Sequence, residues 1–301
     1  MRLTILGCNS STPRADGFTT SQVLELGSKI FLIDCGEGAQ IQMKKVRIKF
    51  RSIDYILISH LHGDHYHGLI GFLTSSSHFG RTTPLTIFGP RGLKEIIQLQ
   101  INITKLSLSY QLNFVELYKD ESEVIFNQSN IKLSTIPLNH RIYTNGFLIE
   151  FTPSNRVIDA ENPRRGLNFQ SCEAEQLKAG RDLKFNTGKT IPNQALTKPG
   201  SYHSYAYCSD TAYKPHIISM IKGVDVLYHE ATFLESERKK AEQTFHSTAR
   251  EAALIAKRAG VKTLILGHYS ARYKTKKDHL KEAKTVFQST ELAEDLRVFQ
   301  F

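Results

Sequence analysis

The sequence predicts an α/β protein in which two β-sheets are covered by helices. Three observations predict it. Short apolar runs punctuated by glycine and polar turns open the chain; strands followed by helical spacing recur in both halves; and 301 residues with 40% hydrophobic content can bury a substantial core. That length suits one large two-layer or four-layer domain, or two ordinary ones.

LTILG (3–7), QVLEL (22–26) and KIFLIDCG (29–36) read as strands, and IDYILISH (53–60) is an apolar run that stops abruptly at polar residues. PRGLKEIIQLQINI (90–103) changes to helical spacing. FVELYK, EVIFN and IKLSTIPL (114–138) return to strand character, and GFLIEF (146–151) continues it. Residues 153–200 break the rhythm with PSNRVIDAENPRRG, a short helical piece around CEAEQLKAG, and the polar KFNTGKTIPNQALTKPG, which together read as an inserted, projecting arm. The core pattern then resumes: YAYCSDTA (205–212), a helix at HIISMIKG, the strand DVLYHEATF (225–233), the helix STAREAALIAKRAG (247–260), the strand KTLILGHYS (262–270) and a final helix in KKDHLKEAKTVFQ.

No apolar run approaches the roughly 20 residues that span a bilayer, and the first ten residues lack the character of a secretory leader, so the chain reads as soluble, not exported and without a membrane partner. Cys8, Cys35, Cys172 and Cys208 have no CxxC spacing, which suits reduced thiols in a cytoplasmic setting. A net charge of +10 points to a polyanionic partner such as nucleic acid. The positive charge sits in local groups, KKVRIKFR (44–51), NPRRG (162–166), ERKKAE (237–242) and RYKTKK (272–277), each of which taken singly is a solvated face.

HLHGDHYHG (60–68) places four of the twelve histidines in eight positions around an aspartate, directly after a strand. Imidazole and carboxylate donors without thiolate suit zinc, with manganese or iron as competitors. So many ligands in a tight loop favour two ions. Further ligands have to come from elsewhere, and the candidates are polar residues that terminate strands: His140 after STIPLN, Asp210 after YAYCS and His268 after TLILG. With His60, His62, Asp64 and His65 they make five histidines and two aspartates, enough for two ions if one carboxylate bridges.

The HLHGDH loop resembles the H-x-H-x-D-H signature of the metallo-β-lactamase superfamily. LTILGCNSSTP, FLIDCGEGAQIQM, FGPRG, CSDT, HEATF, FHSTAREAA and GHYSARY, in that order, resemble the ribonuclease Z family within it, over nearly the whole chain. The resemblance implies the αββα four-layer sandwich as a single domain over 1–301, commonly a homodimer, and two Zn²⁺ per subunit. One zinc would be held by His60, His62 and His140, the other by Asp64, His65 and His268, with Asp210 bridging. It implies endonucleolytic removal of 3′ trailers from precursor tRNA, with Asp64 as proton acceptor and His246, oriented by Glu230, serving the leaving 3′ oxygen. By sequence alone His246 is also placed to precede a helix capped by Ser247 and Thr248 with Glu251. His229 reads as packed, and His67 as outside the ligand set.

Two ions about 3.5–4 Å apart can lower the pKa of a shared water and neutralise charge in an in-line displacement, so phosphodiester hydrolysis is the natural reaction. Ser270, Arg272 and Tyr273 follow His268 closely enough to face the same cleft, where an arginine can clamp phosphate. Asp34 and the glycines of DCGEGAQ read as a brace behind the metal loop. The resemblance makes residues 153–200 a tRNA-gripping arm, here offering Arg164, Arg165, Lys178, Arg181, Lys184 and Lys189 to the phosphate backbone. The family's glycine-proline pair aligns instead with Ser171 and Cys172, a departure that bears on the arm and not on the metal site.

Three other readings compete. A hydrolase of small phosphodiesters or esters on the same fold would need neither arm nor basic surface. An RNA-binding protein with structural metal would have no use for His246 and Glu230, and structural zinc sites are usually single and closed. A flavodiiron reductase shares the fold, but no flavin domain follows and His62 stands where a carboxylate is expected.

Overall fold

Parallel strands need crossovers, and in this chain the crossovers carry the helices that cover both outer faces. The computed structural model describes residues 1–15, 17–153, 155–159, 171–184 and 190–301. β1 (Arg2–Gly7), β2 (Ser21–Leu26) and β3 (Lys29–Cys35) form an antiparallel meander, with the two-residue turn at Gly27 and Ser28 using Gly27 at φ 59°. β4 (Tyr55–Leu57), β5 (Leu85–Pro90) and β6 (Leu112–Leu117) then add in parallel. Their crossovers hold α1 (Ala39–Lys45), α2 (Gly63–Tyr66), α3 (Leu69–His78) and α4 (Leu93–Thr104).

The second sheet repeats this plan. β7 (Val124–Gln128), β8 (Ile131–Pro137) and β9 (Asn145–Phe151) are antiparallel. The segment after β9 carries β10 (Val157–Ile158), α5 (Ser171–Lys178), β11 (Leu183–Lys184), β12 (Thr190–Ile191) and β13 (Thr197–Lys198). β14 (His203–Cys208) pairs antiparallel with β9, and β15 (Val226–Glu230), β16 (Thr263–Gly267) and β17 (Thr290–Leu292) follow in parallel, joined through α6 (Arg238–Thr244), α7 (Ala249–Ala259) and α8 (Lys277–Lys284). β18 (Val298–Gln300) returns to the free edge of β1, so each main sheet has seven strands.

The alternation of the strands decides what each face meets. Leu3, Ile5, Leu24, Phe31 and Ile33 of the first sheet share one buried cluster with Leu133, Ile149, Tyr205 and Tyr207 of the second. The opposite face of the first sheet, Leu6, Val23, Leu32, Ile56 and Ile87, packs on Met43 of α1, Phe72 and Leu73 of α3 and Ile97 of α4. Helix, sheet, sheet and helix therefore stack as the expected αββα sandwich.

Residues 153–200 leave and re-enter the second sheet between paired neighbours, since Phe151 lies opposite His203. Within the segment Leu177, Leu183, Ile191 and Leu196 make a small cluster separate from both main cores, and buried Asn193 donates to the carbonyls of Leu177 and Arg181 at 2.6 and 3.1 Å. Lys178 and Lys184 are exposed, whereas Arg164, Arg165 and Lys189 lie outside the described residues.

Three local readings of the sequence are corrected. IDYILISH pairs as a strand only over Tyr55–Leu57, because the Ser59 amide turns to the Asp34 carboxylate at 2.7 Å. HIISMIKG is a short 3₁₀ turn at Pro215–Ser219 rather than an α-helix. The metal-ligand loop is itself helical from Gly63, with Asp64 and His65 in its single turn.

Two close approaches seat that turn. A Cβ on Gly36 would stand 2.4 Å from the Asp64 carbonyl oxygen, and one on Gly68 would stand 2.2 Å from the Gly36 carbonyl oxygen. Gly68 already donates its amide to the Cys35 carbonyl at 2.9 Å, so the backbones cannot part without losing that bond. Gly68→Ala should therefore cost about 3 kcal/mol of stability, measured by thermal or denaturant unfolding; an unchanged transition would show that this contact is not tight.

Candidate metal centre and active site

The parallel strands β3, β4, β14, β15 and β16 all end on one rim, where a doubly covered sheet leaves its ligand crevice. His60 follows β4, His140 follows β8, Asp210 follows β14, Glu230 closes β15 and His268 follows β16. The seven residues expected as ligands come together there from positions more than 200 residues apart in the chain.

Their donor atoms form two sets. In the first, His62 Nδ1 lies 3.0 Å from His60 Nε2 and 3.1 Å from His140 Nε2, and Asp210 Oδ2 lies 3.7 and 3.6 Å from His60 and His140. In the second, His65 Nε2 and His268 Nε2 are 3.4 Å apart, Asp64 Oδ2 is 3.6 and 3.4 Å from them, and Asp210 Oδ1 is 3.2 and 3.1 Å. Asp210 thus offers one oxygen to each set.

The donor sets fit metal ions. Four ligands about 2.0–2.1 Å from a tetrahedral ion stand about 3.3 Å from one another, and the spacings here scatter around that edge. Imidazole nitrogens converging at this range repel through their lone pairs unless a cation or proton lies between them. This His/Asp cluster has the layout of a divalent-metal site.

In four of the five histidines the remaining ring nitrogen is tied down. His65 Nδ1 meets Asp34 Oδ2 at 2.7 Å, His60 Nδ1 meets Ser59 Oγ at 3.0 Å, His140 Nδ1 meets the Phe245 carbonyl at 3.0 Å and His268 Nδ1 meets Thr232 Oγ1 at 2.9 Å. Such outer bonds fix the tautomer and the ring plane. Asp34 also accepts from Ser59 Oγ at 2.8 Å and Tyr207 OH at 2.6 Å, the brace expected behind the loop. Asp34, Asp210 and His268 all sit in the left-handed region, at φ 52°, 62° and 56°. Such strain in non-glycine residues costs about 1 kcal/mol or more each and is tolerated where many bonds over-determine the position.

Burial lowers the pKa of His60, His62 and His140, favouring the neutral form that binds metal. Burial acts the same way on His65, but the carboxylates of Asp210, Asp64 and Asp34 reverse it and raise this ring well above its ordinary value. Burial raises Asp210, whereas His268, His65 and His60 bring it well below the usual carboxylate range.

Beside the second set, His246 Nδ1 meets Glu230 Oε1 at 2.8 Å. Burial would lower this imidazole, but the Glu230 carboxylate outweighs it and pushes it up to about 9. Glu230 is fully buried and also accepts from the amides of Thr211 (2.6 Å) and Ser247 (3.1 Å) and from Thr232 Oγ1 (2.5 Å). Thr248 caps α7 in a capping box with Glu251, so the helix cap and the His246–Glu230 pair coexist rather than compete.

A cleft of about 420 Å³ opens over both sets, lined by Ser10, Ser11, His62, Asp64, Arg141, Phe233, His246 and Ser270 among others. The Ser11 amide donates to Asp64 Oδ2 at 2.7 Å, and Arg141 reaches the cleft beside His140. The stretch SSTPRADGFTTS reads as a source of backbone and hydroxyl donors toward substrate, but the Ser11 bond to Asp64 depends on the fold, and Arg141 was not read because an arginine next to a ligand histidine is common on surfaces. Thr232, which joins Glu230 to His268, lay inside the quoted HEATF motif without being singled out.

Arg272 and Tyr273 are not among the residues lining the cleft. Arg272 pairs with Glu237 at 2.9 Å and lies over the Phe233 ring at 5.0 Å, and Tyr273 takes the Leu234 amide at 3.0 Å while its ring packs on His279 at 4.6 Å. The Tyr273 amide bonds back to the Ser270 carbonyl, and in this turn Arg272 Nε donates to the Ser270 hydroxyl at 3.3 Å, so the guanidinium sits at the cleft edge already engaged. His229 is buried with Nδ1 on the Glu230 carbonyl at 2.8 Å, and His67 is exposed against Tyr66.

Comparison with known proteins shows the family. Ribonuclease Z of Bacteroides fragilis is 43% identical over 97% of this chain and 96% of its own length. The chain belongs to the ribonuclease Z family. Ribonuclease Z of Porphyromonas gingivalis is 40% identical over 95% of this chain and 94% of its own. A family profile described as Anti-Pycsar protein Apyc1 matches residues 1–159, and one described as a β-lactamase superfamily domain matches residues 166–269. Human tRNase Z, short form, superposes with a TM-score of 0.72 at 24% identity, covering 100% of this chain and 99% of that one, which shows the same fold. The metallo-β-lactamase-fold protein YhfI of Bacillus subtilis does so at 0.69 and 21% identity, covering 99% and 98%. The chain is a ribonuclease Z-type enzyme with a metallo-β-lactamase fold.

If Asp34 holds His65 in its ligating tautomer, Asp34→Asn should weaken divalent-metal binding about 10- to 100-fold. Competition against a chromophoric chelator measures this, and unchanged affinity would remove Asp34 from the support of the centre.

Proposed function

We propose that this enzyme removes 3′ trailers from precursor tRNA, cutting just beyond the discriminator nucleotide to leave a 3′ hydroxyl on the tRNA and a 5′ phosphate on the trailer. The observation that carries this reading is the doubled donor set bridged by Asp210, with His246 on Glu230 at its edge, in a chain 43% identical to ribonuclease Z over nearly its full length. We further propose two Zn²⁺ per subunit, the first on His60, His62 and His140, the second on Asp64, His65 and His268, with Asp210 shared. Zinc bound there would supply a water of lowered pKa and neutralise charge on the phosphoryl oxygens.

The chain's own residues do the rest. Asp64, oriented by the Ser11 amide, takes the proton of the attacking water. His246 keeps Nδ1 on Glu230, which leaves Nε2 as the ring nitrogen to serve the departing 3′ oxygen. Ser270 and Arg141, on the cleft wall, hold the RNA by a hydroxyl and a cation. The segment at 153–200 grips the tRNA body away from the cut, with exposed Lys178 in α5 contacting phosphate, joined by Arg164 and Arg165. The enzyme works as a homodimer in the cytoplasm; among the described residues no helix is long and apolar enough to cross a membrane.

Incubation of the purified protein with a 3′-extended tRNA precursor and Zn²⁺ or Mn²⁺, followed by end mapping, tests the reading: one cut after the discriminator is expected, and no cleavage would sink it. His246→Ala should slow the single-turnover cleavage rate about 10²- to 10⁴-fold with full metal content by elemental analysis. Loss of metal would mean that His246 is misassigned. Replacing residues 153–200 by a short turn joins strands that are already neighbours. It should weaken precursor binding much more than turnover of bis(p-nitrophenyl) phosphate, whereas equal losses would refute docking through this segment and favour a hydrolase of small phosphodiesters.

A further inference from the structure

The basic run KKVRIKFR does not reach the cleft, and the structure gives it a different setting. A groove of about 370 Å³ is lined by Lys44, Arg47, Lys49 and Arg51 together with Phe50 and Phe79. Phe79 is 56% exposed, which is unusual for an aromatic side chain that is also held in place. Its ring packs edge-on against Phe50 at 5.4 Å, and Lys44 Nζ stands 5.3 Å from its centroid. Phe50 in turn is buried against Phe72 of α3 at 5.7 Å, so the platform is anchored in the core. The four cations are exposed, and no carboxylate among the described residues pairs with them.

Two helices connect the metal turn to this groove. α1 begins beside Gly36 and α3 begins at Gly68, the two glycines seated against the turn that carries Asp64. The helices run side by side, joined by Gln40 to Ser75 at 2.9 Å, and end together at Lys44 and Phe79 on the groove. The ten residues of α3 span about 15 Å, or about four stacked nucleotides at roughly 3.4 Å each.

We propose that this groove is a binding surface for single-stranded RNA, and that its occupant during the reaction is the 3′ trailer beyond the scissile bond. A fixed, exposed aromatic ring flanked by cations that no carboxylate engages is the arrangement that holds a single strand without reading its sequence: a base stacks while phosphates meet lysine and arginine. The charge complementarity favours a polyanion over an apolar peptide. The part about the trailer rests on the proposed function, whereas the affinity for single strands stands apart from it.

The test uses the whole protein and a fluorescent, unstructured 12-nucleotide RNA, read by anisotropy as salt is varied. Lys44→Ala, Arg47→Ala, Lys49→Ala and Arg51→Ala combined should weaken binding about tenfold or more and flatten the log–log salt slope by about 3. Phe79→Ala alone should weaken it about fivefold or more while leaving that slope unchanged, whereas Lys239→Ala with Lys240→Ala, on another exposed basic run, should do nothing. On precursors, the fourfold variant should raise KM for a 12-nucleotide trailer about tenfold and leave a one-nucleotide trailer unaffected. RNA binding equal to that of the unaltered protein would overturn the surface, as would a fourfold variant that only changed sedimentation and so marked the groove as a contact between copies. Equal KM rises for both trailers would overturn the trailer assignment. If the unaltered protein cut no precursor, the proposed function would fail, and the oligonucleotide result would still decide the groove.

Discussion

The Asp210 carboxylate, 2% exposed, turns one oxygen to His60 and His140 and the other to His65 and His268. A buried carboxylate is expensive unless its charge is answered at close range. Here it is answered on both sides, and the two halves of the molecule are thereby referred to one point: His60 and His65 come from the first sheet, His140 and His268 from the second. The inter-sheet core brings these rims to the right separation, and the left-handed backbone of Asp210 aims its carboxylate between them.

Behind that carboxylate stand two others with supporting parts. Asp34 gathers Ser59, His65 and Tyr207, tying the metal turn of the first sheet to a strand of the second. Glu230 gathers Thr211, Thr232, His246 and the amide of Ser247, tying β15 to the entry of α7. Each buried acid is surrounded by donors, so each holds its neighbours in register. A ring placed by such a network needs little reorganisation when substrate arrives, which is the condition for electrostatic preorganisation.

The basic charge divides in the same structural terms. Arg272, at a strand end beside a ligand, is already spent on Glu237 and Phe233. The cations of residues 44–51 are left without acidic partners because the chain there turns beneath the first sheet, at the far ends of α1 and α3. Net charge alone does not distinguish these cases; the pairing of each side chain does.

Much of this protein was legible in the sequence. Donor type and spacing in HLHGDH, and the habit of strands to end in polar residues such as His140, Asp210 and His268, point to the seven side chains that the fold gathers on one rim. Short apolar runs bounded by glycine and polar turns marked most of the strands, because strands covered on both faces are apolar almost throughout. Other features were decided only by tertiary structure. The metal turn became helical because Gly36 and Gly68 let two backbones close behind it; Ser11 reached Asp64 through a backbone amide that has no residue signature; β5, β18 and the helices α1 to α3 depended on neighbours for their pairing and burial. Residue chemistry is local and can be read along the chain. Which oxygen meets which nitrogen depends on contacts between segments far apart in sequence, and only the packed sheets bring those together.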